Sequence, residues 1–164
     1  MSKKKEIKTN AMRLLDTMKI PYEQHTYECK EFKDGLQIAD TMGQPYEKVF
    51  KTLVAVGSSK DYYVFVIPIA KELDLKKAAR IVGEKSMDML PVKEINRVTG
   101  YIRGGCTSIG MKKQYVTRID DSAAPQTTII VSGGSLGSQI ELAPDDLVRA
   151  TGAEYADLVK QDAS

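Results

Sequence analysis

The sequence predicts an α+β domain with a mixed, mostly antiparallel and curled sheet. Three observations indicate this class: about six segments have strand patterns, about five have helix patterns with caps, and the two kinds do not alternate strictly along the chain. The chain has 164 residues without a repeat, a low-complexity tract or a linker, so we expect one domain over residues 1–164.

The elements of the first half are bounded by N-cap residues, prolines and glycines. Helices are predicted over residues 10–19, 36–42 and 75–82, with Thr9, Asp34 and Asp74 as N-caps. Strands are predicted over residues 22–27, 49–56 and 62–69. Residues 57–61 are predicted to connect the last two strands as a hairpin.

The second half is predicted to combine helices, short strands and two glycine-rich segments. Helices are expected over residues 92–98 and 145–151, each after a proline, with a capped turn at Ser86 and a final turn or helix over 155–160. Strands are expected near 115–119, 127–131 and 139–142. We call residues 104–110 the first glycine loop and residues 132–138 the second glycine loop.

Composition and charge exclude several functional classes. The hydrophobic fraction of 42% and the charged fraction of 28% are ordinary for a globular protein in water. No apolar stretch approaches the roughly 18 residues that span a bilayer, and no apolar signal-peptide region follows the basic N-terminus. We therefore expect a cytoplasmic protein without a membrane partner. A net charge of +2 does not indicate strong non-specific nucleic-acid binding, but it is compatible with docking of one structured RNA.

Cysteine and histidine usage predicts neither a metal nor a cofactor. Cys29 and Cys106 lie far apart, and His25 is the only histidine, so neither a disulfide scaffold nor a structural zinc site is expected. His25 lies in a predicted strand, where a packing or hydrogen-bonding role is the simpler interpretation. Cys106 is interpreted as structural, because no base is evident near it in the sequence.

Lys51 is the most unusual residue of the predicted strands. It shares one strand face with Val49, Leu53 and Ala55, and the opposite face is also mostly apolar. Burying an unpaired charge is costly, so the ammonium needs a partner, a polar cavity or a bound anion. Alternatively, its four-carbon stem extends along the apolar surface to water. The segment alone does not decide between these interpretations.

The two glycine loops are candidate binding segments. Each combines small residues and hydroxyl groups with backbone that a ligand can approach closely. Exposed N–H groups in such turns can hold an anion or a developing oxyanion. Neither loop has the spacing of a P-loop or of a dinucleotide-binding motif, and either one alone could be an ordinary hairpin turn.

Six short motifs together resemble the YbaK/EbsC family of aminoacyl-tRNA deacylases, which is related to the editing domain of prolyl-tRNA synthetase. They are HTY (25–27), VFKTL (49–53), LDLKK (73–77), TGYIRGG (99–105), SGG (132–134) and QIEL (139–142). The resemblance implies a small mixed β-barrel with helices around it and a substrate pocket against the barrel. It also implies editing of Cys-tRNA(Pro), in which the thiol of the substrate attacks its own ester and gives a cyclic thioester.

The resemblance assigns three residues to catalysis. Lys51 would contact the ribose or phosphate of the terminal nucleotide and orient it. The backbone N–H of Gly104 would polarise the ester carbonyl, and Ser132 would hold an amino or ribose group of the substrate. Substrate-binding roles are implied for six further residues: Tyr27, Thr52, Gly105, Thr107, Gly133 and Gln139.

The chain departs from the family pattern in both glycine loops. Thr107-Ser108 stands where the family usually has Ser-Pro, and the loss of proline should loosen the first loop. Ser135-Leu136 stands where basic residues are common, which weakens an expectation of phosphate contacts. An acidic residue also occurs in the family at the position of Gln139. Phe32 is a candidate for the aromatic wall of the pocket.

Three functional hypotheses follow. The first is a deacylase for Cys-tRNA(Pro), with Cys-tRNA(Cys) as a further substrate; the second is a deacylase for another small amino acid such as alanine, using water. The third is a non-catalytic tRNA-binding or regulatory homologue. The implied partners are the acceptor end of an aminoacyl-tRNA and, transiently, prolyl-tRNA synthetase.

Overall fold

The computed structural model describes residues 8–28 and 34–161, which form five helices and eight strands. The helices are α1 (Asn10–Thr17), α2 (Gly35–Met42), α3 (Leu75–Val82), α4 (Ile95–Thr99) and α5 (Pro144–Thr151). The strands are β1 (Glu23–Thr26), β2 (Phe50–Gly57), β3 (Tyr62–Pro68), β4 (Met87–Met89), β5 (Val116–Asp120), β6 (Ile129–Ser132), β7 (Ser138–Leu142) and β8 (Glu154–Ala156). The predicted α+β class is confirmed.

Local sequence signals begin α1, α2 and α3 as predicted. The helix predicted over residues 92–98 differs, because Val92–Glu94 form a 3-10 turn and α4 covers Ile95–Thr99. The helix predicted over residues 10–19 ends earlier, at Thr17. The Thr9 hydroxyl accepts a hydrogen bond from an N–H of α1, and the Asp74 carboxylate does the same for α3. Asp34 and Gln37 form a complete capping box at α2, and Gly43 ends that helix with φ of 65°. These caps satisfy backbone groups that would otherwise lack partners at the helix ends.

The strands form two sheets. One sheet has three antiparallel strands in the order β1-β7-β6, and the other has five strands in the order β4-β2-β3-β5-β8. In the larger sheet β2 pairs antiparallel with β3 and β4, whereas β5 pairs parallel with β3 and β8. Within residues 8–28 and 34–161, one parallel bridge, between Val49 and Ile130, connects the sheets. The described strands do not form one closed barrel, so the barrel that the resemblance implied is not confirmed.

Two short strands differ from the prediction. β4 lies where a capped turn at Ser86 was expected, and β8 lies where a turn or helix over 155–160 was expected. Both strands have three residues and lie at the edges of the larger sheet. Three residues are too few to show the alternation of apolar and polar side chains that predicts a strand. Pairing with β2 or β5 therefore decides the conformation of these segments.

Apolar side chains pack on both faces of the larger sheet. One cluster joins it to the smaller sheet and to α1 and α5, through Met12, Leu15, Phe50, Ile119, Ile140 and Leu147. A second cluster, around Phe65, Ile67, Ala78 and Leu158, packs α3 on the other face. β3 therefore lies in the middle of the core, and β2, which carries Lys51, pairs with it along its length. In the part of the chain that the structure describes, no helix has the length and apolar character needed to cross a membrane.

Candidate active-site cleft

A cleft of about 600 Å³ opens beside the first half of β2. Its other walls come from the residue after β1, the start of α2, the segment between β4 and α4, and both glycine loops. A cavity of this size suits a small molecule or one end of a larger one.

Six of the nine residues that the resemblance implies line this cleft. They are Tyr27, Lys51, Thr52, Gly104, Ser132 and Gln139. Strand pairing brings them together, because β6 and β7 place Ser132 opposite Gln139 and the bridge from Ile130 holds β6 against the start of β2. Their roles toward a ligand remain predictions.

Gly105, Thr107 and Gly133 are not among the lining residues of the cleft. A Cβ at Gly105 would lie 2.9 Å from the Cα of Ser135, so glycine allows the two loops to touch. Thr107 is fully buried, and its hydroxyl accepts a hydrogen bond from an N–H of its own loop. The Gly133 N–H donates to the Ser138 carbonyl at 2.8 Å, which closes the second loop. The contacts of these three residues shape the loops.

Lys51 lines the cleft as a half-buried cation. Burial lowers the pKa of its ammonium, while the charges of Glu72 and Asp34 act in the opposite direction. In the part of the chain that the structure describes, the Lys51 ammonium forms no ion pair or hydrogen bond with another side chain or carbonyl. Its charge is therefore available to an anionic or polar group in the cleft.

Two further polar groups of residues that line the cleft also lack hydrogen-bond partners within the described residues. The Thr52 hydroxyl is buried and makes no hydrogen bond within the described residues. The Gly104 N–H has no acceptor in residues 8–28 and 34–161, whereas the next N–H, of Gly105, donates to the Ile102 carbonyl at 3.0 Å. Gly104 has φ of 84°, a conformation that strains other residues. An unpaired N–H held in a tight turn is a suitable donor for a carbonyl oxygen.

Gln44 is a residue that the sequence did not indicate. It follows the C-cap of α2, and its Nε2 donates to Gln139 Oε1 at 2.8 Å. In return, Gln139 Nε2 donates to Gln44 Oε1 at 3.2 Å. The two residues are 95 positions apart, and no local pattern connects a loop glutamine with a strand glutamine.

Apolar side chains line the mouth of the cleft. Leu36, Met89 and Val92 are 39%, 41% and 52% exposed, which is unusual for large apolar residues in one place. No sequence pattern indicated them, because they come from three different elements that only the tertiary structure brings together. Phe32, the candidate for an aromatic wall, lies outside the described residues.

Cys106 lines the cleft without the properties of a nucleophile. Burial raises the pKa of its thiol to about 11, so the thiolate that reacts is rare at neutral pH. The interpretation of Cys106 as structural agrees with its packing against Val54, Leu90 and Val98.

His25 takes part in a charged network beside the cleft, as its interpretation as a hydrogen-bonding residue predicted. The His25 ring Nε2 lies 2.8 Å from Glu141 Oε1, and Lys48 Nζ lies 2.7 Å from Glu141 Oε2. Thr128 donates a further hydrogen bond to the same carboxylate. Burial opposes the ionisation of Glu141, but these hydrogen bonds outweigh it and lower its pKa to about 2.

We expect Glu141→Gln to lower the free energy of unfolding at pH 7 by about 1–3 kcal/mol, because the charge-assisted hydrogen bonds are lost. The pKa of Glu141 is depressed in the folded state, so its contribution is complete above the ordinary value of 4.5 and is lost as the pH falls toward about 2. Urea unfolding between pH 7 and pH 2.5 should show the difference between wild type and variant shrinking over that window.

The control for this variant is Glu154→Gln, which breaks the ion pair with Arg118. The Glu154 side chain is 74% exposed, so we expect a loss of no more than about 0.5 kcal/mol. An equal loss in both variants, or a difference that does not depend on pH, would contradict the network.

Comparison with known proteins identifies the family. A sequence profile described as the aminoacyl-tRNA editing domain matches residues 30–150. The chain belongs to the aminoacyl-tRNA editing domain family. The match includes Lys51, Gly104, Ser132 and Gln139, and Tyr27 lies just before it.

Two relatives extend this result. A protein of Enterococcus faecalis is 42% identical over 164 residues, which cover 99% of this chain and 100% of the relative. That relative carries the provisional name Cys-tRNA(Pro)/Cys-tRNA(Cys) deacylase EbsC. The uncharacterized protein YwhH of Bacillus subtilis is 29% identical over 111 residues, or 68% of this chain and 70% of YwhH.

Solved structures share the fold of this editing domain. A provisionally named trans-editing enzyme for prolyl tRNA synthetase superposes with a TM-score of 0.78 at 22% identity, covering 95% of this chain and 100% of that one. A hypothetical protein superposes with a TM-score of 0.85 at 22% identity, covering 93% and 100%. At these identities the superpositions establish the fold alone.

Proposed function

We propose that this protein is an aminoacyl-tRNA deacylase that removes cysteine from Cys-tRNA(Pro) and also from Cys-tRNA(Cys). Membership of the editing domain family and the name of the Enterococcus faecalis relative support deacylation of aminoacyl-tRNA. The observation that carries the proposal is that Lys51, Gly104 and Ser132 line one cleft, in which the one cysteine among the described lining residues, Cys106, has a raised pKa.

The cleft supplies no activated nucleophile of its own among its described lining residues. The pKa of the Cys106 thiol is about 11, and the nearest imidazole, that of His25, is bound to Glu141 and does not line the cleft. The Ser132 hydroxyl accepts a hydrogen bond from the Gly134 N–H and has no adjacent base. The attacking group must therefore come from the substrate or from water.

The proposed reaction uses the thiol of the bound cysteinyl group. Its sulfur attacks the ester carbonyl, and the carbonyl oxygen becomes an oxyanion that the Gly104 N–H stabilises. The C–O ester bond then breaks, and the ribose oxygen leaves with the proton that the thiol gave up. The products are tRNA and a cyclic thioester, which water opens to free cysteine.

Positioning accounts for most of the rate enhancement in this scheme. Lys51 and Ser132 hold the terminal nucleotide, while Tyr27 lines the aminoacyl end and Gln139 binds the substrate between them. Holding a thiol against its own ester can contribute on the order of 7–11 kcal/mol, and one oxyanion donor roughly 10²–10³-fold in rate.

We also propose that a second protein supplies selection of the tRNA. The net charge of +2 gives little non-specific attraction for tRNA. A transient complex with prolyl-tRNA synthetase would present Cys-tRNA(Pro) to the cleft, and the fold shared with a provisionally named trans-editing enzyme supports this partner.

The test compares Cys-tRNA(Pro), Ala-tRNA(Pro) and Cys-tRNA(Pro) whose thiol has been alkylated. We expect purified protein to release cysteine at least about 100-fold faster than buffer and to leave the other two substrates nearly intact. Equal loss of alanine and cysteine would indicate a water-based deacylase for small amino acids. Release of cysteine no faster than in buffer would contradict the proposal. Binding of the substrate without turnover would identify a non-catalytic homologue.

Cys106→Ala is expected to keep deacylation of Cys-tRNA(Pro) within a few-fold of wild type, since its thiol is not the nucleophile. Single-turnover rates and melting temperature would be measured together, because the substitution also removes packing against Val98. Loss of activity in a variant that melts like wild type would assign Cys106 to the chemistry instead.

A further inference from the structure

Gln44 and Gln139 form a closed pair of amides at the edge of the cleft. Each amide donates one hydrogen bond to the other, at 2.8 Å and 3.2 Å. Gln139 is 6% exposed and lines the cleft, whereas Gln44 lies behind it at the end of α2. Gln44 therefore contacts the candidate site only through Gln139.

The pairing couples the orientations of the two amides. If one amide turned over alone, nitrogen would face nitrogen and oxygen would face oxygen, and both hydrogen bonds would be lost. Each amide uses one of its two N–H groups and one of its two oxygen lone pairs in the pair. Gln139 keeps one donor and one acceptor for a ligand, in a plane that Gln44 holds.

The surrounding charges favour a neutral group at position 139. Glu141 lies on the same face of β7, two residues away, and is ionised because Lys48, Thr128 and His25 bind it. A carboxylate at position 139 would add a second negative charge on that face. An amide presents both a donor and an acceptor there without charge, which matches a hydroxyl group better than an ammonium group.

We propose that Gln44 is a positioning residue that holds the Gln139 amide for recognition of a ribose hydroxyl of the terminal nucleoside, next to the aminoacyl ester. This inference rests on the proposed function for the identity of the ligand. Gln44 does not touch the substrate. Gln44 fixes the orientation of the Gln139 amide, and Gln139 makes the hydrogen bonds to the ribose hydroxyl.

The test measures binding of a non-hydrolysable cysteinyl-adenosine with an amide in place of the ester. Wild type is compared with Gln44→Ala, Gln139→Ala and the double variant. We expect each single variant to raise Kd about tenfold. The double variant should raise Kd no further, because either substitution alone already disrupts the hydrogen-bonded pair of amides that binds the ligand. The control Gln126→Ala removes a single glutamine hydrogen bond, to the Glu47 carbonyl, and should leave Kd unchanged.

The same analogue without the free ribose hydroxyl identifies the recognised group. Wild type should bind this deoxy analogue about tenfold more weakly, and Gln44→Ala and Gln139→Ala should bind both analogues alike. A purely structural role of Gln44 would lower the melting temperature without erasing this discrimination. If the variants discriminate as wild type does, the ribose contact is refuted.

Gln44→Glu supplies a conservative rescue. A protonated carboxyl both donates and accepts and can replace the amide in the pair, whereas a carboxylate cannot donate to Gln139 Oε1. We expect Kd relative to wild type to improve as the pH falls from 7 toward 4.5. Wild type at each pH is the reference, because other titratable groups lie on the elements around the pair. Asp34 and Lys51 line the cleft, Glu23, His25 and Lys48 lie around Glu141, and Asp40 lies on α2 before Gln44.

The outcomes separate this inference from the proposed function. If the two substitutions have non-additive effects on Kd for the analogue but the protein does not turn over Cys-tRNA(Pro), the proposed deacylation is wrong and the role of Gln44 stands. Turnover of Cys-tRNA(Pro) with additive or absent effects of the two glutamines would overturn the role of Gln44 alone.

Discussion

Lys51→Met is expected to reduce deacylation of Cys-tRNA(Pro) by on the order of 100-fold or more while leaving the protein as stable as wild type. The ammonium is half-buried, its pKa is lowered by burial, and it forms no ion pair within the described residues. The folded state therefore gains little from this charge. Methionine keeps the length of the stem and removes only the cation that would orient the terminal nucleotide.

The measurement is a single-turnover rate together with a thermal melt. The matched control is Lys48→Met, three residues earlier in the chain. Lys48 is bound to Glu141 at 2.7 Å, so its loss should lower the melting temperature and leave the rate nearly unchanged. If Lys51→Met instead unfolds at much lower temperature and keeps its rate, Lys51 is a structural residue and its assigned role is wrong.

Gly105→Ala is expected to abolish most deacylation by pushing the two glycine loops apart. The backbone of Gly105 is not in the left-handed region, so its conformation alone does not require glycine. The requirement is the contact: a Cβ would lie 2.9 Å from Ser135 Cα and 3.2 Å from the Leu136 nitrogen, and backbone atoms cannot yield as a side chain does. A displacement of about 1 Å between Gly104 and Ser132 can cost on the order of 100-fold in rate.

Two variants control for this substitution. Cys106→Ala lies in the same loop but adds no atom, so it should stay active. Gly152→Ala adds a Cβ with no heavy atom of a non-adjacent residue within 4 Å, at φ of 70°, so it should lose about 1–2 kcal/mol of stability and keep its activity. Full activity in Gly105→Ala would show that the loops move freely and that their contact does not shape the site.

The glycine loops show what the sequence could predict about the site. The order of the short motifs was specific enough to indicate the family and to select Lys51, Gly104 and Ser132, which the structure brings to one cleft. The same motifs also selected Gly105 and Gly133, whose contacts lie within and between the loops. A motif gives residue types in order, but it does not distinguish the glycine that faces a ligand from the glycine that lets two loops touch.

The sequence by itself determined the N-caps of α1, α2 and α3, the hairpin of β2 and β3 and the α+β class. These depend on interactions between near neighbours, such as the capping box of Asp34 and Gln37 and the left-handed glycine at position 43. The tertiary structure decided the separation into two sheets, the edge strands β4 and β8, the apolar mouth of the cleft and the pairing of Gln44 with Gln139. The physical reason is that each of these depends on contacts between distant segments, whose geometry no local period or cap encodes.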